Sequence, residues 1–506
     1  MITKTFSATL DGIQGALVQI EAISLNSLPQ ILVTGLPGEV VKESRERVRA
    51  CLVNLGFDLP SGKIIVHLSP ANIKKQGSHY DLAIALAVLS AESKLIETRL
   101  EEMGFVGELS LEGRLCPVKG ALPLIEVLTR KPAIKKIIIP KENEKEGALL
   151  QSSKIYLAED LGEIIDFLKG RKDLPQCSNS KFVTSDSSRN IFDQVKGQPL
   201  AKRALQIAMA GRHHLLLVGP PGVGKSMLSA SALGLMPLLT QDEFIEVLKI
   251  YSASTVEIDD LFSNRERPYR APHPSVSASA LLGGGAGTVI PGEVSLAHHG
   301  ILFMDEFPEY RRDALEGLRE PLQSGSLHLN RVGRTLSLPA QFTLIAAMNP
   351  CPCGMYSQAD NRCRCTSEKK AQYRKKLSTP ILDRMALMVQ MNPADLSQDF
   401  SAEQICFSEV KDSIARTYEI QTQRIKNAGS DGDREINLQS SDFNLSSEIE
   451  DCLKQYQKQT RISFRRTNQI IRVSRTIADL EGRKMIELSH FREAWSLRCF
   501  DFYQIS

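Results

Sequence analysis

The apolar positions of the chain fall into short runs separated by segments with helical spacing. Within residues 1–170, strand-like runs such as residues 63–68 and 136–139 alternate with helical segments, which predicts an α+β domain. Residues 191–392 alternate strands and helices in the manner that a parallel three-layer α/β sheet requires. Residues 393–506 have helical spacing and predict a helical C-terminal domain. The pattern therefore predicts a multidomain α/β protein.

Composition and charge fit a large globular protein. The 506 residues are enough for about two to four domains, and residues 171–190, rich in Ser, Asp, Lys and Asn, are predicted to form an exposed linker. No apolar run is long enough to span a membrane, and the first six residues lack a signal-peptide core, so we expect a cytoplasmic protein. The net charge of only +3 leaves any DNA contact to local basic features.

A glycine-rich loop directly follows the apolar run Leu215–Val218. Its glycines allow consecutive backbone N–H groups to turn inward and bind phosphate oxygens. We expect Lys225 to reach the β- and γ-phosphates, and the Ser226 hydroxyl to bind Mg²⁺. A helix beginning near Lys225 would direct its positive end at the same phosphates. The loop predicts an ATP site formed by Gly219, Pro220, Pro221, Gly222, Val223, Gly224, Lys225 and Ser226.

Two acids follow a second apolar run, Ile301–Met304. A buried parallel strand would place Asp305 and Glu306 at the carboxyl edge of the sheet, beside the phosphates. We expect Asp305 to hold Mg²⁺, directly or through water, and Glu306 to polarise the attacking water as a general base. The alternative is a strand end with two solvated acids, which the glycine-rich loop makes the weaker interpretation.

Three further side chains are candidates for contacts with the γ-phosphate and the attacking water. Residues 342–348 form another apolar run that ends at Asn349, whose amide can orient water from a neighbouring strand end. Arg384 and Arg465 are single arginines in ordinary surroundings, where a surface ion pair is the usual role. The residues around these arginines do not by themselves distinguish contact with the γ-phosphate from a surface ion pair.

Four of the ten cysteines lie in one short polar loop. In a chain expected in the cytoplasm, cysteines are thiols or metal ligands more often than disulfides. Four clustered thiolates in a hydrophilic loop have no core-packing role and can converge tetrahedrally on one Zn²⁺. The alternative is a loop with four reduced thiols, because Cys-x-Cys spacing is tighter than the common zinc knuckle. The predicted zinc ligands are Cys351, Cys353, Cys363 and Cys365.

Several other motifs resemble a known family. They occupy residues 33–38, 42–49, 105–110, 270–273, 291–298, 348–353 and 472–480. With the glycine-rich loop, they resemble the AAA+ ATPases, and more narrowly the YifB/ComM family of magnesium-chelatase-like proteins, over almost the whole chain. The resemblance implies a P-loop AAA+ domain followed by a helical lid. It also implies that Asn349 is sensor 1, Arg384 the arginine finger and Arg465 sensor 2. An arginine finger that reaches a neighbour's ATP implies a ring, most simply a homohexamer.

Two segments are candidates for contact with a polymer. Residues 270–296 contain a run of glycines that is too flexible for a core. The whole segment is too long for a minimal connection between neighbouring elements. Residues 326–338 alternate as a hairpin with Gly333 at its tip, flanked by Arg331 and Arg334. In related AAA+ helicases, segments at these places project into the central pore. Their few cations and lack of aromatic residues suit sequence-tolerant contacts with a DNA backbone. The alternative is that both are ordinary surface elements.

The N-terminal domain also resembles the proteolytic domain of Lon, a ribosomal S5 domain 2-like fold. Residues 75–81, 107–114 and 138–143 carry this resemblance. Aligned with Lon, the nucleophile's place falls at His79 and the catalytic lysine's place at Leu122. Without a lysine base no nearby serine is activated, so we expect a non-proteolytic scaffold or DNA-collar domain. Ser78 and Lys119 lie close in sequence and leave protease activity as the alternative.

Three functions fit these expectations. The resemblance favours an ATP-driven DNA translocase or branch-migration helicase that acts in homologous recombination of donor DNA during natural transformation. A second candidate is the ATPase motor of a metal-insertion enzyme, as in magnesium chelatase. A third is an ATPase that remodels a protein partner. The Lon-like domain and the cysteine quartet favour the first, and DNA stimulation of ATP hydrolysis would distinguish the three.

Overall fold

The structure is a computed structural model that describes most of the chain. The described residues are 2–58, 62–92, 100–178, 190–254, 256, 265–285, 289–331, 334–356, 363–393, 405–427, 445–460 and 464–498. They belong to two compact units. The first comprises Met1–Ser185 with Phe244–Asn264, and the second comprises Asp186–Glu243 with Arg265–Ser506. Residues 179–189 of the predicted linker lie outside the described residues.

A mixed seven-stranded sheet forms the centre of the first unit. Its strands are β1 (Ile2–Asp11), β2 (Gln14–Leu25), β3 (Gln30–Thr34), β4 (Lys63–Ser69), β5 (Met103–Phe105), β8 (Lys136–Pro140) and β9 (Ile155–Ala158), and a separate small hairpin contains β6 (Glu108–Leu109) and β7 (Leu115–Cys116). The strand order is β3-β4-β2-β1-β5-β8-β9. β2 runs antiparallel to β1 and β4, and the remaining pairs are parallel.

Helices cover both faces of this first sheet. They are α1 (Glu39–Asn54), α2 (Asp81–Ala91), α3 (Ala121–Thr129), α4 (Glu144–Leu149) and α5 (Leu161–Leu168). Nearly every residue of α2 is buried, as its run of alanine, leucine, isoleucine and valine requires. One apolar cluster joins α1 and α2 to the sheet, and a second joins α3 to the sheet. This α+β architecture agrees with the sequence pattern.

The second unit contains a parallel sheet, as predicted, with five strands among the described residues. Its strands are β10 (Leu215–Val218), β11 (Tyr269–Arg270), β14 (Ile301–Met304), β17 (Thr343–Met348) and β18 (Leu387–Gln390). Their order is β11-β14-β17-β10-β18. Two antiparallel hairpins lie outside this sheet: β12 (Gly283–Gly284) with β13 (Ile290–Pro291), and β15 (Ser326–Arg331) with β16 (Arg334–Pro339).

Helices lie on both faces of the parallel sheet. They are α6 (Pro199–Gly211), α7 (Lys225–Leu235), α9 (Ala278–Leu282), α10 (Glu293–Leu296), α11 (Arg312–Gly317), α12 (Pro321–Ser324), α13 (Ser367–Lys375) and α14 (Thr379–Leu382). The intervening helix α8 (Gln241–Ser252) begins in the second unit, but its residues from Phe244 onwards belong to the first. Leu215 and Leu217 pack into one apolar cluster, whereas Leu216 and Val218 pack into the other. This alternation buries both faces of the sheet and explains why its strands are continuous apolar runs.

Helices also make up the described C-terminal segments. They are α15 (Phe407–Asn427), α16 (Ser447–Thr460), α17 (Phe464–Leu480) and α18 (Leu488–Arg498). Their apolar faces join the same cluster as α6, α7 and one face of the parallel sheet. Residues 428–444, between α15 and α16, lie outside the described residues. None of the helices in the described ranges combines the length and the apolar character that crossing a membrane would need.

Candidate nucleotide site

Three neighbouring strands of the parallel sheet place the glycine-rich loop, the two acids and Asn349 at one edge. Val218, at the end of β10, pairs with Met348 at the end of β17. Met304, at the end of β14, pairs with Ala346 in the same strand. Because all three strands are parallel, the residues that follow them emerge at the same carboxyl edge. The glycine-rich loop, the two acids and Asn349 therefore meet there.

The glycine-rich loop holds Lys225 against backbone oxygens. Gly222 and Gly224 have φ angles of 82° and 91°, which only glycine adopts without strain, and α7 begins at Lys225. The Lys225 ammonium donates hydrogen bonds of 2.7 Å to Gly219 O and 2.9 Å to Pro220 O. Burial lowers the pKa of Lys225, and the nearby carboxylates oppose this effect. Phosphate oxygens would be stronger partners for this cation than the neutral carbonyls it now contacts.

Ser226 and Asp305 provide adjacent oxygens. Ser226 Oγ donates a hydrogen bond of 2.9 Å to Asp305 Oδ2. The other carboxylate oxygen, Asp305 Oδ1, accepts a bond of 2.9 Å from the backbone N–H of Glu306. A hydroxyl and a carboxylate are hard oxygen ligands of the kind that Mg²⁺ prefers. The residues present therefore fit a magnesium ion beside the phosphate loop.

Glu306 has an unusual backbone conformation. Its φ angle is 48°, in the left-handed region that non-glycine residues seldom occupy, and its side chain is exposed. Such a conformation costs on the order of 1–3 kcal/mol and is found most often at functional sites. The strain falls on the residue predicted to be the general base. Asn349 lies in the same site, because its Oδ1 accepts a bond of 3.2 Å from Lys225 Nζ.

The four predicted zinc ligands converge directly after Asn349. Their sulfur atoms all lie within 4.8 Å of one another. Cys351 Sγ is 3.4 Å from Cys353 Sγ and 3.7 Å from Cys363 Sγ. A tetrahedral zinc site with Zn–S bonds of about 2.3 Å requires sulfur separations of about 3.8 Å. The backbone N–H of Met355 lowers the pKa of Cys353, whereas burial raises the pKa of Cys351 and of Cys365, so the thiolate form that binds a metal is favoured at Cys353 first. The quartet therefore fits zinc.

The cysteine loop packs against the phosphate loop. Gly354 has a φ angle of 75°, and a Cβ at this position would lie 2.8 Å from Pro221 Cδ. The same Cβ would lie 3.7 Å from Asn349 Cγ. Only glycine allows this close approach. Any rearrangement of the cysteine loop is therefore expected to disturb the predicted ATP site.

Arg384 and Arg465 lie elsewhere, in a cavity of about 330 Å³. His214 and Ala386 also line this cavity, and they immediately precede β10 and β18. The cavity is therefore at the amino edge of the parallel sheet, opposite the phosphate loop. β10 has four residues, so the two edges are separated by about 13 Å of strand. The structure brings the two predicted arginines together but does not place them at Lys225.

Positive charge dominates this amino-edge cavity. Among the described residues that line it, none is Asp or Glu, and the arginines are Arg212, Arg384, Arg465, Arg472 and Arg475. Arg212 pairs with Glu243 and Arg475 pairs with Asp479, both at 2.9 Å. Among the described residues, no carboxylate lies within 4 Å of Arg384 or Arg465. Burial lowers the pKa of Arg384, and repulsion from Arg465 adds to the effect. An anion entering the cavity would relieve this repulsion.

Most residues of this amino-edge cavity were not predicted from the sequence. Polar residues of α17 line it at helical spacing, namely Arg465, Asn468, Gln469, Arg472 and Thr476. On the opposite face, Ile470, Ile471 and Ile477 are buried in the core. This polar stripe is the signal in the sequence that could have identified the lid face of the cavity. The cavity residues that belong to α12 or precede the strands show no comparable pattern in the sequence.

The two candidate polymer-contact segments lie next to each other. β15 pairs with β16 from Ser326↔Pro339 to Arg331↔Arg334, which agrees with the predicted hairpin. A Cβ on Gly283, in the other segment, would lie 3.5 Å from Leu338 Cδ1. The predicted tip at Gly333 and residues 286–288 lie outside the described residues, as do the side chains of Arg331 and Arg334.

The positions equivalent to the Lon catalytic dyad are buried. His79 is 5% exposed and Leu122 is fully buried. Burial lowers the pKa of His79 to about 4, so this side chain is neutral near pH 7. Ser78 donates its hydroxyl hydrogen bond to the carboxylate of Glu108, whereas Lys119 is exposed. Among the described contacts, no lysine is paired with Ser78.

Three family models of magnesium chelatase match the chain. The model "Magnesium chelatase, subunit ChlI" covers residues 191–398, "Subunit ChlI of Mg-chelatase" covers residues 20–143, and the ChlI C-terminal model covers residues 407–498. The first of these regions contains the phosphate loop, the two acids, Asn349 and the cysteine loop. The matches and the site together define a magnesium-chelatase-like protein.

Two relatives that align over nearly their full length show to which family of magnesium-chelatase-like proteins the chain belongs. The chain is 37% identical to competence protein ComM of Haemophilus influenzae, over 97% of this chain and 96% of ComM. It is 38% identical to the uncharacterized protein YifB of Salmonella typhimurium, over 97% and 96% of the two chains. An archaeal Lon protease of Thermococcus kodakarensis is 31% identical over 30% of this chain and 25% of the protease. The chain belongs to the YifB/ComM family of magnesium-chelatase-like proteins.

Proposed function

We propose that this chain is an ATP-driven DNA translocase or branch-migration helicase that acts in homologous recombination of donor DNA during natural transformation. The observation that carries the proposal is the division of the predicted ATP-site residues between two edges of one sheet. Lys225, Ser226 and Asp305 meet at the carboxyl edge, whereas Arg384 and Arg465 line the cavity at the amino edge. A complete site then requires a second copy of the chain.

The carboxyl edge supplies the phosphate and water contacts. Bound Mg–ATP supplies the phosphoanhydride bond whose hydrolysis drives the motor. Backbone N–H groups of residues 219–226 and the Lys225 ammonium bind phosphate oxygens, and Ser226 and Asp305 hold the magnesium ion. Glu306 takes a proton from the attacking water, while the Asn349 amide orients that water. The hydrogen bond between Lys225 and Asn349 supports a common role for these groups.

The amino edge supplies the groups for a neighbour's ATP. Arg384 acts as the arginine finger and Arg465 as sensor 2, and both approach the γ-phosphate of the adjacent subunit. The absence of Asp and Glu from the described lining of the cavity supports an anionic partner. Such head-to-tail contacts close into a ring when the rotation between copies permits, and we propose a homohexamer.

The hairpin and the glycine-rich segment support DNA as the polymer. They lie side by side in the second unit. Arg331 and Arg334 contact DNA phosphates in a sequence-tolerant manner, because this segment offers cations without an aromatic stacking surface. The relative called competence protein ComM matches over nearly its full length, which supports a role in DNA uptake and recombination. The Lon-like first unit serves as a non-proteolytic scaffold or DNA collar.

A motor subunit for metal insertion is the second candidate. It is favoured by the three magnesium chelatase models, which match residues 20–143, 191–398 and 407–498. The near-complete match to ComM, together with the cysteine quartet in which we propose a zinc ion, favours the DNA motor instead.

DNA stimulation of ATP hydrolysis tests the proposal. Phosphate release is measured without DNA and with single-stranded, duplex and four-way-junction DNA, and junction branch migration is followed in parallel. The proposal predicts a several-fold increase in kcat with DNA and ATP-dependent movement of the junction. A metal-insertion motor would hydrolyse ATP at the same rate with or without DNA and would leave the junction intact.

A further inference from the structure

The buried guanidinium of Arg384 has one side-chain partner among the described residues. Arg384 is 7% exposed, and its Nη2 donates a hydrogen bond of 2.8 Å to Gln323 Oε1. Its Nη1 donates a bond of 2.6 Å to the backbone oxygen of Pro380, while its Nε has no partner. The guanidinium is therefore oriented by two hydrogen bonds, one to the backbone of Pro380 and one to the exposed side chain of Gln323.

Gln323 lies at the base of the β15–β16 hairpin. It belongs to α12 (Pro321–Ser324), and β15 begins two residues after α12 ends. Gly325, between them, has a φ angle of 67° and accepts a backbone bond of 2.8 Å from Ala340, which directly follows β16. This bond closes the base of the hairpin next to Gln323.

A second contact ties the hairpin to the same short helix. His328 Nδ1, in β15, lies 2.6 Å from Oε1 of Glu320, the residue that immediately precedes α12. The helix is thus joined to the hairpin at both of its ends. A displacement of the hairpin is expected to move α12, and with it the amide oxygen that holds Arg384.

We propose that Gln323 is a positioning residue that couples the β15–β16 hairpin to Arg384, so that a polymer bound at the hairpin adjusts the arginine that acts on the neighbouring ATP. This inference rests on the proposed function, which supplies the polymer and the role of Arg384. A hydrogen bond tolerates only about 0.5 Å of change in length, so a small shift of α12 alters the position of the guanidinium. DNA binding and hydrolysis are thereby linked within one subunit.

Two substitutions break this link in different ways. Q323M fills a similar volume but removes the acceptor, whereas Q323N retains the amide but shortens the side chain by one methylene group. Q323E keeps an oxygen acceptor at the same distance and is the conservative variant. Q241M is the matched control, because Arg265 Nη2 donates a bond of 2.6 Å to Gln241 Oε1 outside the lining of the cavity.

The experiment measures kcat and KM for ATP, without and with saturating duplex DNA, in assembled rings. For Q323M and Q323N we expect the ratio of stimulated to basal kcat to fall to about one, with KM for ATP and Kd for DNA within twofold of wild type. Q323E should retain the stimulation ratio, although its basal kcat falls because a carboxylate partly neutralises Arg384. Q241M should behave as wild type.

Two outcomes would overturn the coupling. Undiminished stimulation of kcat by DNA in Q323M or Q323N would show that Gln323 does not couple the hairpin to Arg384. An equal loss of stimulation in Q323E would show that the position serves packing rather than hydrogen bonding. If wild-type rings hydrolyse ATP without any response to DNA, the proposed function itself fails, and the coupling fails with it.

Discussion

Lys225 Nζ donates a hydrogen bond of 3.2 Å to Asn349 Oδ1, although 124 positions separate the two residues in the chain. The bond joins the residues that follow β10 and β17, which are neighbours in the parallel sheet. It places the proposed phosphate-binding ammonium beside the amide proposed to orient water. Groups that are already positioned need no reorganisation when the reaction occurs, which is a main source of catalytic rate enhancement.

Substitutions at the carboxyl edge should separate binding from hydrolysis. Lys225→Ala should abolish nucleotide binding, because the buried ammonium contacts the glycine-rich loop that we propose binds phosphate. Glu306→Gln should bind ATP normally but hydrolyse it on the order of 10²–10⁴-fold more slowly, because an amide cannot accept the proton from water. Fluorescent-nucleotide binding and phosphate release measure the two effects, with the exposed Glu309→Gln as control. Normal ATP turnover in either variant would contradict the role proposed for the residue replaced.

The cysteine quartet should hold about one zinc ion per chain. Cys353→Ser should lose the metal, whereas Cys406→Ser, outside the quartet, should retain it. Because Gly354 packs against Pro221, loss of the metal should also raise KM for ATP several-fold. Elemental analysis of protein purified without chelator measures the metal content. A zinc content near zero in the wild-type chain would exclude this metal site.

Acid should destabilise the second unit through His213, a half-buried histidine in the lining of the amino-edge cavity. Burial, with a further contribution from Arg472, lowers the pKa of His213 from 6.5 to about 3. Between these values the unfolded chain binds more protons than the folded one, so stability falls as pH drops below 6.5. From pH 7.5 to 5 this histidine should cost about 2 kcal/mol of unfolding free energy.

Urea unfolding at several pH values measures this effect. His213→Gln should flatten the dependence of unfolding free energy on pH. His273→Gln is the control and should leave it unchanged, because that side chain is exposed in both the folded and the unfolded chain. An unaltered pH dependence in His213→Gln would contradict a neutral imidazole at this half-buried position.

Replacing Arg331 and Arg334 with alanine should weaken contact with DNA. If these arginines bind phosphates, the double variant should lose DNA-stimulated hydrolysis and branch migration while retaining basal hydrolysis. Fewer counterions would be released per complex, so the plot of log affinity against log salt should become less steep. Unchanged branch migration and an unchanged salt dependence would make the hairpin structural, leaving residues 270–296 as the candidate DNA contact.

The local sequence was sufficient to predict the carboxyl edge of the parallel sheet. Each of Leu215–Val218, Ile301–Met304 and residues 342–348 is an apolar run followed by polar groups, and parallel strands bring such ends together. The hairpin was predictable for a similar reason, because its alternation and its central glycine are local signals. Patterns within single segments therefore specified both features.

Relationships between distant segments could not be predicted in this way. Nothing near Gln323 indicates that it accepts a bond from Arg384, 61 positions away. Nor does the spacing of the cysteines show that Gly354 contacts Pro221. Residues 244–264 belong to the same unit as residues 1–185, and the bond of 2.7 Å between Lys249 and Glu126 is one of the contacts responsible. These contacts depend on tertiary packing, which overrides local pattern.

Mixing of two inactive variants tests the central claim, that each ATP is hydrolysed by groups from two subunits. Arg384→Ala should bind ATP but not hydrolyse it, and Glu306→Gln should do the same for a different reason. In mixed rings, some interfaces combine an intact Glu306 with an intact Arg384, and partial ATPase activity should return. The measurement is phosphate release as a function of mixing ratio, with ring assembly verified by light scattering. We predict a maximum near equal amounts; rates no higher than either variant alone, in fully assembled rings, would contradict the shared site.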